Sequence, residues 1–391
     1  MISVEEALAQ VLRLSPPLPV EMIPLRAALG RRLAAPVAAR ITQPPFDAAA
    51  MDGYALPLAP LPGATFTVIG EAAAGSTFDR ALGQGEALRI FTGAPVPSGT
   101  THVVIQEDVL REGSRITIGP RAEPSRNIRP RGQDFATGDL FAPKRLGPAD
   151  LGLLAAMNLA EVSVHRRPVV AFLSTGNELV APGDVPGPGQ IVASSALALA
   201  ALAEGAGAEA RILPIARDDL AHLRAALDLA GGADLIVTLG GASVGDHDLI
   251  GRHAADLGLH LDFWKIALRP GKPMMAGTRG GVALLGLPGN PVSAYVCAVL
   301  FMLPMLRAFQ GAPSPVPVPQ RAMLTTALPQ NGPRRHYLRA VHDPATGKIT
   351  PAGSQDSALT RVLAQSNALL IQPEHAPAMA PGQDVAFLPL P

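Results

Sequence analysis

Four short segments gather residues able to do chemistry on an oxyanion: Ser174-Thr175-Gly176-Asn177-Glu178, Gly240 to Asp248, Arg269-Pro270-Gly271-Lys272-Pro273, and Leu287 to Ser293. Glycines there let backbone N–H groups approach a ligand, and hydroxyls such as Thr175 and Ser243 add donors, a combination that suits phosphate. Any one Gly-Gly pair reads first as a tight turn, but four such segments in one region describe a pocket. It takes in Thr175, Gly176, Gly240, Gly241, Ser243, Arg269, Lys272, Pro288, Asn290 and Pro291. Asn290 and Pro291 make an N-cap and a first helical residue, so the positive end of that helix would face the anion. Arg269 and Lys272 flank a Pro-Gly turn that restricts their direction, which favours a ligand role. Lys265, Arg129, Arg131, Arg334, Arg335 and Arg339 add further positive charge.

Carboxylates form a second constellation: Glu178, Asp218, Asp219, Asp246 and Asp248, with Asp52 and Asp134 earlier in the chain. Such hard oxygens suit Mg²⁺, which takes one or two carboxylates and completes its shell with water and phosphate. Asp218 and Asp219 read first as helix caps, whereas Glu178 and Asp248 have no such role. Other chemistries are poorly supplied. Gly271-Lys272 runs into Pro273, so no P-loop exists, and Gly187-Pro188-Gly189 lacks the third glycine of a dinucleotide fingerprint. The nine histidines show no zinc spacing. Gly241-Ala242-Ser243-Val244-Gly245 has hydrolase spacing but no evident acid and histidine partners, and Cys297 reads as a buried, inert thiol.

Positioning these groups needs a large scaffold, and 391 residues at 48% hydrophobic content can build several cores. Charge balances at 32 basic against 32 acidic residues. That argues against coating nucleic acid or an anionic membrane by bulk electrostatics. One cysteine forms no internal disulfide or thiolate cluster, which fits a reducing compartment. Glu5 and Glu6 stand where a signal peptide would be basic, and the longest apolar run, Val292 to Leu306, is broken by Pro304. The expectation is a cytoplasmic protein.

Ser3 and Glu6 have capping-box spacing ahead of an amphipathic helix. Between Gln43 and Asp134, short β-type runs (Thr65 to Ile69, Leu88 to Phe91, His102 to Gln106, Arg115 to Ile118) predict a β-rich insert. Pro148 to Leu159 returns to a helical pattern. From Val169 the rhythm is βαβ. Val169 to Leu173, Arg211 to Ile215, Leu235 to Leu239 and Val282 to Leu285 read as buried parallel strands. Helices are expected at Ser194 to Glu204, Asp219 to Leu229 and Val292 to Arg307. The result is a doubly wound α/β sheet whose ligand lies outside the carboxyl ends of its strands. Pro313 to Pro319 reads as a stiff linker to a final β-patterned part.

Ala50-Met51-Asp52-Gly53-Tyr54-Ala55, Phe91-Thr92-Gly93-Ala94-Pro95-Val96-Pro97, Ser174 to Leu179, Gly240 to Gly245, Pro270-Gly271-Lys272-Pro273 and Leu287 to Ser293 occur in that order. Together they resemble the molybdopterin molybdenumtransferase family over essentially the whole chain. The resemblance implies four domains: a discontinuous linker and dimerisation domain (1–43 with 127–164), a β-rich insert (44–126), a molybdopterin-binding α/β domain similar to adenylyltransferases (165–311), and a C-terminal β barrel-like domain (312–391). It also implies a homodimer whose site lies between the α/β domain of one subunit and the insert of the other.

By the same resemblance, Asp52, Thr92 and Asp134 are catalytic and line the cleft, with Asp52 or Asp134 moving protons. Glu178, Asp219 and Asp248 hold Mg²⁺ or the pterin, with Asp218 fitting the place of Asp219 almost as well. Arg269, Lys272, Arg334 and Ser354 contact molybdate or phosphate. The implied reaction inserts molybdate into adenylylated molybdopterin, giving molybdenum cofactor and AMP, with the enzyme that adenylylates the pterin and cofactor-receiving proteins as further partners. Ala48-Ala49 stands where the family often has Asn-Ser, Arg269 where Lys is common, and Asn177 where Asp is frequent. Two rival readings are a molybdopterin adenylyltransferase, and a non-catalytic scaffold resembling the gephyrin E domain.

Overall fold

The computed structural model describes residues 1–123, 125–241 and 249–391. They form two compact units, one of Met1–Glu21, Gly30–Ala34 and Ser163–Pro391, the other of Met22–Leu29 and Ala35–Val162.

The first unit is organised by strand alternation. Val170 and Phe172 of strand Val169–Ser174 turn into one core, while Ala171 and Leu173 turn into another. A strand buried on both faces must be apolar throughout, which is why this run reads without alternation. The sheet order is Glu209–Ile212, Val169–Ser174, Leu235–Leu239, Val282–Leu287, Met275–Arg279, Leu259–Trp264. The first four strands are parallel as expected, and the last two are antiparallel. That antiparallel edge was not read from the sequence because Leu259–Trp264 buries only some of its side chains and alternates with polar residues. Helices Ser195–Gly205 and Pro291–Phe309 cover one face, and Leu220–Asp228 the other, which makes the sheet doubly wound.

The helix from Pro291 to Phe309 runs through Pro304 for 19 residues. A wide π turn at Ala298–Met302 precedes the proline, whose ring and missing N–H disturb the regular ladder. Its length and apolarity would suffice to cross a membrane, but 83% of it is buried in the core. Helix Val4–Arg13, closed by the expected Ser3–Glu6 capping box, buries Val4, Ala7 and Val11 in the same core. This helix thus packs on the α/β core.

Strands Gln320–Leu324, Arg335–Asp343, Lys348–Pro351, Ala368–Gln372 and Asp384–Pro389 close into a five-stranded barrel. Leu268–Arg269, leaving the α/β sheet, adds to it in parallel by pairing with Arg335–His336. That short pairing fixes where Arg269 stands.

The second unit centres on a six-stranded sheet in the order His102–Ile105, Gly53–Leu56, Glu86–Ile90, Thr65–Ala72, Arg115–Ile118, Val109–Glu112. Four of its strands fall within a few residues of the runs read in the sequence, while Gly53–Leu56 and Val109–Glu112 were not among them. Gly53 is required by close approach, since a Cβ there would lie 1.9 Å from Val104 O.

Candidate functional site

The carboxyl ends of the parallel strands are laced together by main-chain bonds. Thr175 N–H donates to Leu239 O (3.0 Å), Gly176 N–H to Ala216 O (3.1 Å) and Gly240 N–H to Leu287 O (3.2 Å). The N–H groups expected to reach a ligand are therefore spent on neighbouring strand ends, which need partners of their own. What these glycines supply is closeness. Gly240 has φ +95°, and a Cβ on it would stand 2.7 Å from Thr175 O. A Cβ on Gly176 would stand 2.5 Å from a Glu178 carboxylate oxygen. Two hydroxyls near this edge, Thr175 Oγ1 and Thr238 Oγ1, are buried and without a partner among the described residues, and Thr175 is the one beyond its strand end. An unpaired buried hydroxyl costs about 1–3 kcal/mol, so a ligand that meets it recovers that penalty.

The carboxylates divide by role. Asp219 caps helix Leu220–Asp228: one oxygen accepts from His222 N–H at 2.8 Å and the other pairs with His222 Nδ1. The bond from His222 N–H holds the Asp219 carboxyl below its ordinary range. Both oxygens are committed locally, so of the two adjacent acids it is Asp218 that the fold turns toward the strand end. Asp218 Oδ2 accepts from Asn177 N–H (3.3 Å) and Asn177 Oδ1 accepts from Asp218 N–H (3.2 Å). Asn177, not counted as a ligand in the sequence, is the latch that holds Asp218 to the strand-end segment that carries Glu178. Glu178 itself is exposed. Among the described residues no three His, Cys, Asp or Glu gather as a metal cage. Mg²⁺ needs no such cage, and the pair Glu178 and Asp218 fits the one or two carboxylates it takes. Asp246, Asp248 and Ser243 lie outside the described residues.

Beside Ser174 and Arg217 opens a cavity of about 600 Å³, floored by Leu179, Val180, Ala196, Leu197 and Ile212. That size suits a small organic ligand.

A corner of positive charge stands between the α/β sheet and the barrel. The side chains of Arg269, Lys272 and Arg334 have no hydrogen-bond or ion-pair partner among the described residues. Elsewhere in this unit Arg31, Arg166, Arg279, Arg321 and Arg335 all pair with carboxylates. Behind the corner lie His336, 6% exposed, and Arg339, 1% exposed, the latter donating to Leu359 O and Ser354 O. Ser354 Oγ closes its own turn by accepting from Asp356 N–H, and it is Ser357 that touches the helix start. Asn290 Nδ2 donates to Ser357 Oγ (3.1 Å) and Val292 N–H to Ser357 O (3.1 Å). Asn290 thus ties two domains together instead of capping its helix with its side chain.

Burial, followed by repulsion from Arg269, Arg334 and Arg339, pushes the His336 ring down to about 4 from an ordinary 6.5. The unfolded chain therefore takes up this proton between about pH 6.5 and 4 while the folded chain does not. Stability present at pH 7 is expected to fall by about 3 kcal/mol by pH 4 on this account. Urea unfolding of the wild type and of His336→Gln across that range checks it; equal pH slopes in the two proteins would contradict the assignment.

In the second unit, Asp52 and Thr92, 40 residues apart, are brought together. Asp52 Oδ1 accepts from Thr92 N–H (2.8 Å) and Thr92 Oγ1 (2.7 Å), and these bonds lower the carboxyl below its usual range. Asp52 is thereby kept as an anion and a weak base, with no described donor on Oδ2. Arg89, which the sequence did not single out, lies over the rings of Tyr54 and Phe91. Asp134 lines a separate recess of about 340 Å³ with Gln43, Pro44, Arg129 and Gln133. The residues missed at the sequence level, Ser357, His336 and Arg89, sit in unremarkable strand and turn patterns. No motif marks them.

Family profiles cover the chain in succession: the MoeA N-terminal region (domain I and II) at residues 2–158, a probable molybdopterin binding domain at 171–308, and the MoeA C-terminal region (domain IV) at 321–390. A molybdopterin molybdenumtransferase 2 of Mycobacterium tuberculosis is 38% identical over 399 aligned residues, covering 98% of each chain. A molybdopterin molybdenumtransferase of Nostoc is 35% identical, covering 95% of this chain and 89% of the relative. Among solved structures, a molybdopterin biosynthesis MoeA protein of Pyrococcus horikoshii superposes with a TM-score of 0.83 at 30% identity, covering 99% and 98% of the two chains.

Proposed function

Since the chain belongs to the molybdopterin molybdenumtransferase family, we propose that its unpaired cation corner receives molybdate or the substrate's phosphates while the strand-end edge holds the rest of the adenylylated pterin. The enzyme is a transferase that delivers molybdenum to molybdopterin. The observation that carries the site assignment is that the charges of Arg269 and Arg334 converge on His336, with Lys272 just across the Pro-Gly turn from Arg269, and that none of the three pairs with a carboxylate among the described residues. Tetrahedral dianions meet such a corner with charge-assisted bonds.

Glu178 and Asp218 would hold Mg²⁺, with Asp248 a further candidate from the family resemblance; when bound, the ion neutralises phosphate charge. Thr175 Oγ1 donates to a substrate oxygen. The cavity beside Ser174 and Arg217 takes an organic part of the substrate and keeps water from it. Asp52, kept ionised by Thr92, orients and attracts rather than abstracting protons. Catalysis is chiefly positioning and charge neutralisation. We further infer the four-part division at 1–43 with 127–164, 44–126, 165–311 and 312–391, a homodimer and a cytoplasmic location, on the family resemblance together with the balanced charge. The adenylyltransferase and scaffold readings leave unexplained why relatives named as molybdenumtransferases match along nearly the whole chain.

The test is AMP release from adenylylated molybdopterin with Mg²⁺, with and without molybdate, while molybdenum incorporation is followed. Molybdate-dependent release with incorporation is expected. Glu178→Ala is expected to abolish turnover with little loss of fold. Asp219→Ala is expected to cost about 1 kcal/mol of stability through its lost cap and to keep most turnover. A dead, fully stable Asp219→Ala protein would restore the metal role that the family resemblance implies for it.

A further inference from the structure

The cation corner contains a group that its oxyanion role does not use. His336 is 94% buried by its 6% exposure, and no described residue hydrogen-bonds to either ring nitrogen. It is held in place from two domains. Its main chain pairs with Arg269 of the α/β domain in the parallel ladder and with Gln372 of the barrel in the antiparallel one. Along its own strand it alternates in phase with Leu338 and Ala340, both in the barrel core, so the ring sits at the mouth of that core.

The charges around it are one-sided. Arg269 comes from the adjoining strand, Arg334 precedes it, and Arg339 is the third guanidinium whose charge reaches the ring. The carboxylates on this side are already engaged: Glu374 and Glu5 with Arg335, while Asp356 lies by Arg339. Gln372 and Asn331, the other polar residues packed there, are neutral, and their amides donate to main-chain carbonyls. Burial first, and after it the repulsion of these cations, keeps the imidazole neutral until something offsets them. A dianion seated on Arg269, Lys272 and Arg334 would do so, by neutralising two of the three guanidinium charges that the ring feels.

We propose that His336 is a proton-accepting member of the oxyanion site, so that binding of a tetrahedral dianion is coupled to uptake of one proton by its imidazole. The inference rests on Arg269, Lys272 and Arg334 being that site. The linkage has a definite sign. A bound anion raises the proton affinity of the ring, so dianion affinity rises as pH falls between the pKa values of the liganded and empty states. In that window the gain approaches about tenfold per pH unit. The ring acts on binding, as a positioning and charge-compensating residue.

The experiment is calorimetric titration of the full-length protein with molybdate, and with sulfate as a dianion that does not titrate near neutrality. It is run at pH 5.5 to 7.5 in two buffers of different ionisation heat. Net proton uptake that grows as pH falls is expected for the wild type, and a flat affinity with no uptake for His336→Gln. Histidine ring NMR of the unmodified protein, with and without molybdate, reads the same proton without relying on a variant that could misfold; the His336 resonance should titrate at higher pH in the bound state. Tight binding without proton uptake, or with equal uptake in His336→Gln, overturns the role of His336 and leaves the site standing. Binding that Arg269→Ala does not weaken overturns the site itself, and the proposal with it.

Discussion

Arg269→Ala is expected to lower kcat/KM for molybdate by about 10²–10³, the scale seen when one preorganised donor to a developing or bound oxyanion is removed. The physical reason is the absence of any substitute. Arg269 has no side-chain partner among the described residues, so its guanidinium is aimed by the backbone, through the two-residue parallel pairing of Leu268–Arg269 with Arg335–His336. Deleting it leaves Lys272 and Arg334 to hold a dianion whose charge is then incompletely matched. Arg269→Lys keeps a point charge at the same place and is expected to retain most of the activity, since bidentate geometry is lost but neutralisation is not. Steady-state assays at varied molybdate separate the two variants. Equal, small losses in both would mean that the anion sits elsewhere.

Gly240→Ala is expected to destabilise the protein by about 2–5 kcal/mol and to abolish turnover. Two independent penalties add at this position. An L residue at φ +95° pays roughly 1–2 kcal/mol for its backbone conformation, and its Cβ meets Thr175 O at 2.7 Å, a clash that overpacked sites answer with about 1–3 kcal/mol more. Gly232 supplies the internal control, because it has φ +77° but nothing within 4 Å of where a Cβ would go. Gly232→Ala should pay only the backbone part. Urea denaturation of both variants measures the difference. If the two lose the same stability, the contact between the ends of Leu235–Leu239 and Val169–Ser174 is looser than the structure has it.

Much of the frame was legible. Runs that must be buried on both faces, such as Leu235–Leu239 and Val169–Ser174, are apolar except for Thr238 and Ser174 near their carboxyl ends, so their composition located them. Caps and breakers worked likewise: Ser3 with Glu6, and Pro148 opening its helix, act within a few residues of chain. Edge strands were harder. Leu259–Trp264 faces solvent on one side, and its mixture of Asp, His and apolar residues matches a loop as well as a strand. Pro304 did not end the helix expected over Val292 to Arg307, since a neighbouring π turn absorbs the disturbance that a proline makes in an isolated helix.

Residue types and spacing by themselves determined that this chain carries glycine-rich strand ends, a surplus of unassigned carboxylates and cations near an oxyanion pocket, and the ordered motifs of one enzyme family. Those are properties of short segments, where local sterics and hydrogen-bonding capacity decide. Only the tertiary structure decided which of those groups remain available. Asp219 and Asp218 are adjacent and chemically identical, yet His222 consumes the first and Asn177 holds the second to the strand-end segment that carries Glu178. Ser354 closes its own turn while Ser357 meets Asn290 from another domain. His336 became part of a cation cluster only when a strand of the α/β domain was added to the barrel. Whether a polar atom is spent or spare depends on partners distant in sequence, and only the packed chain brings those partners within reach.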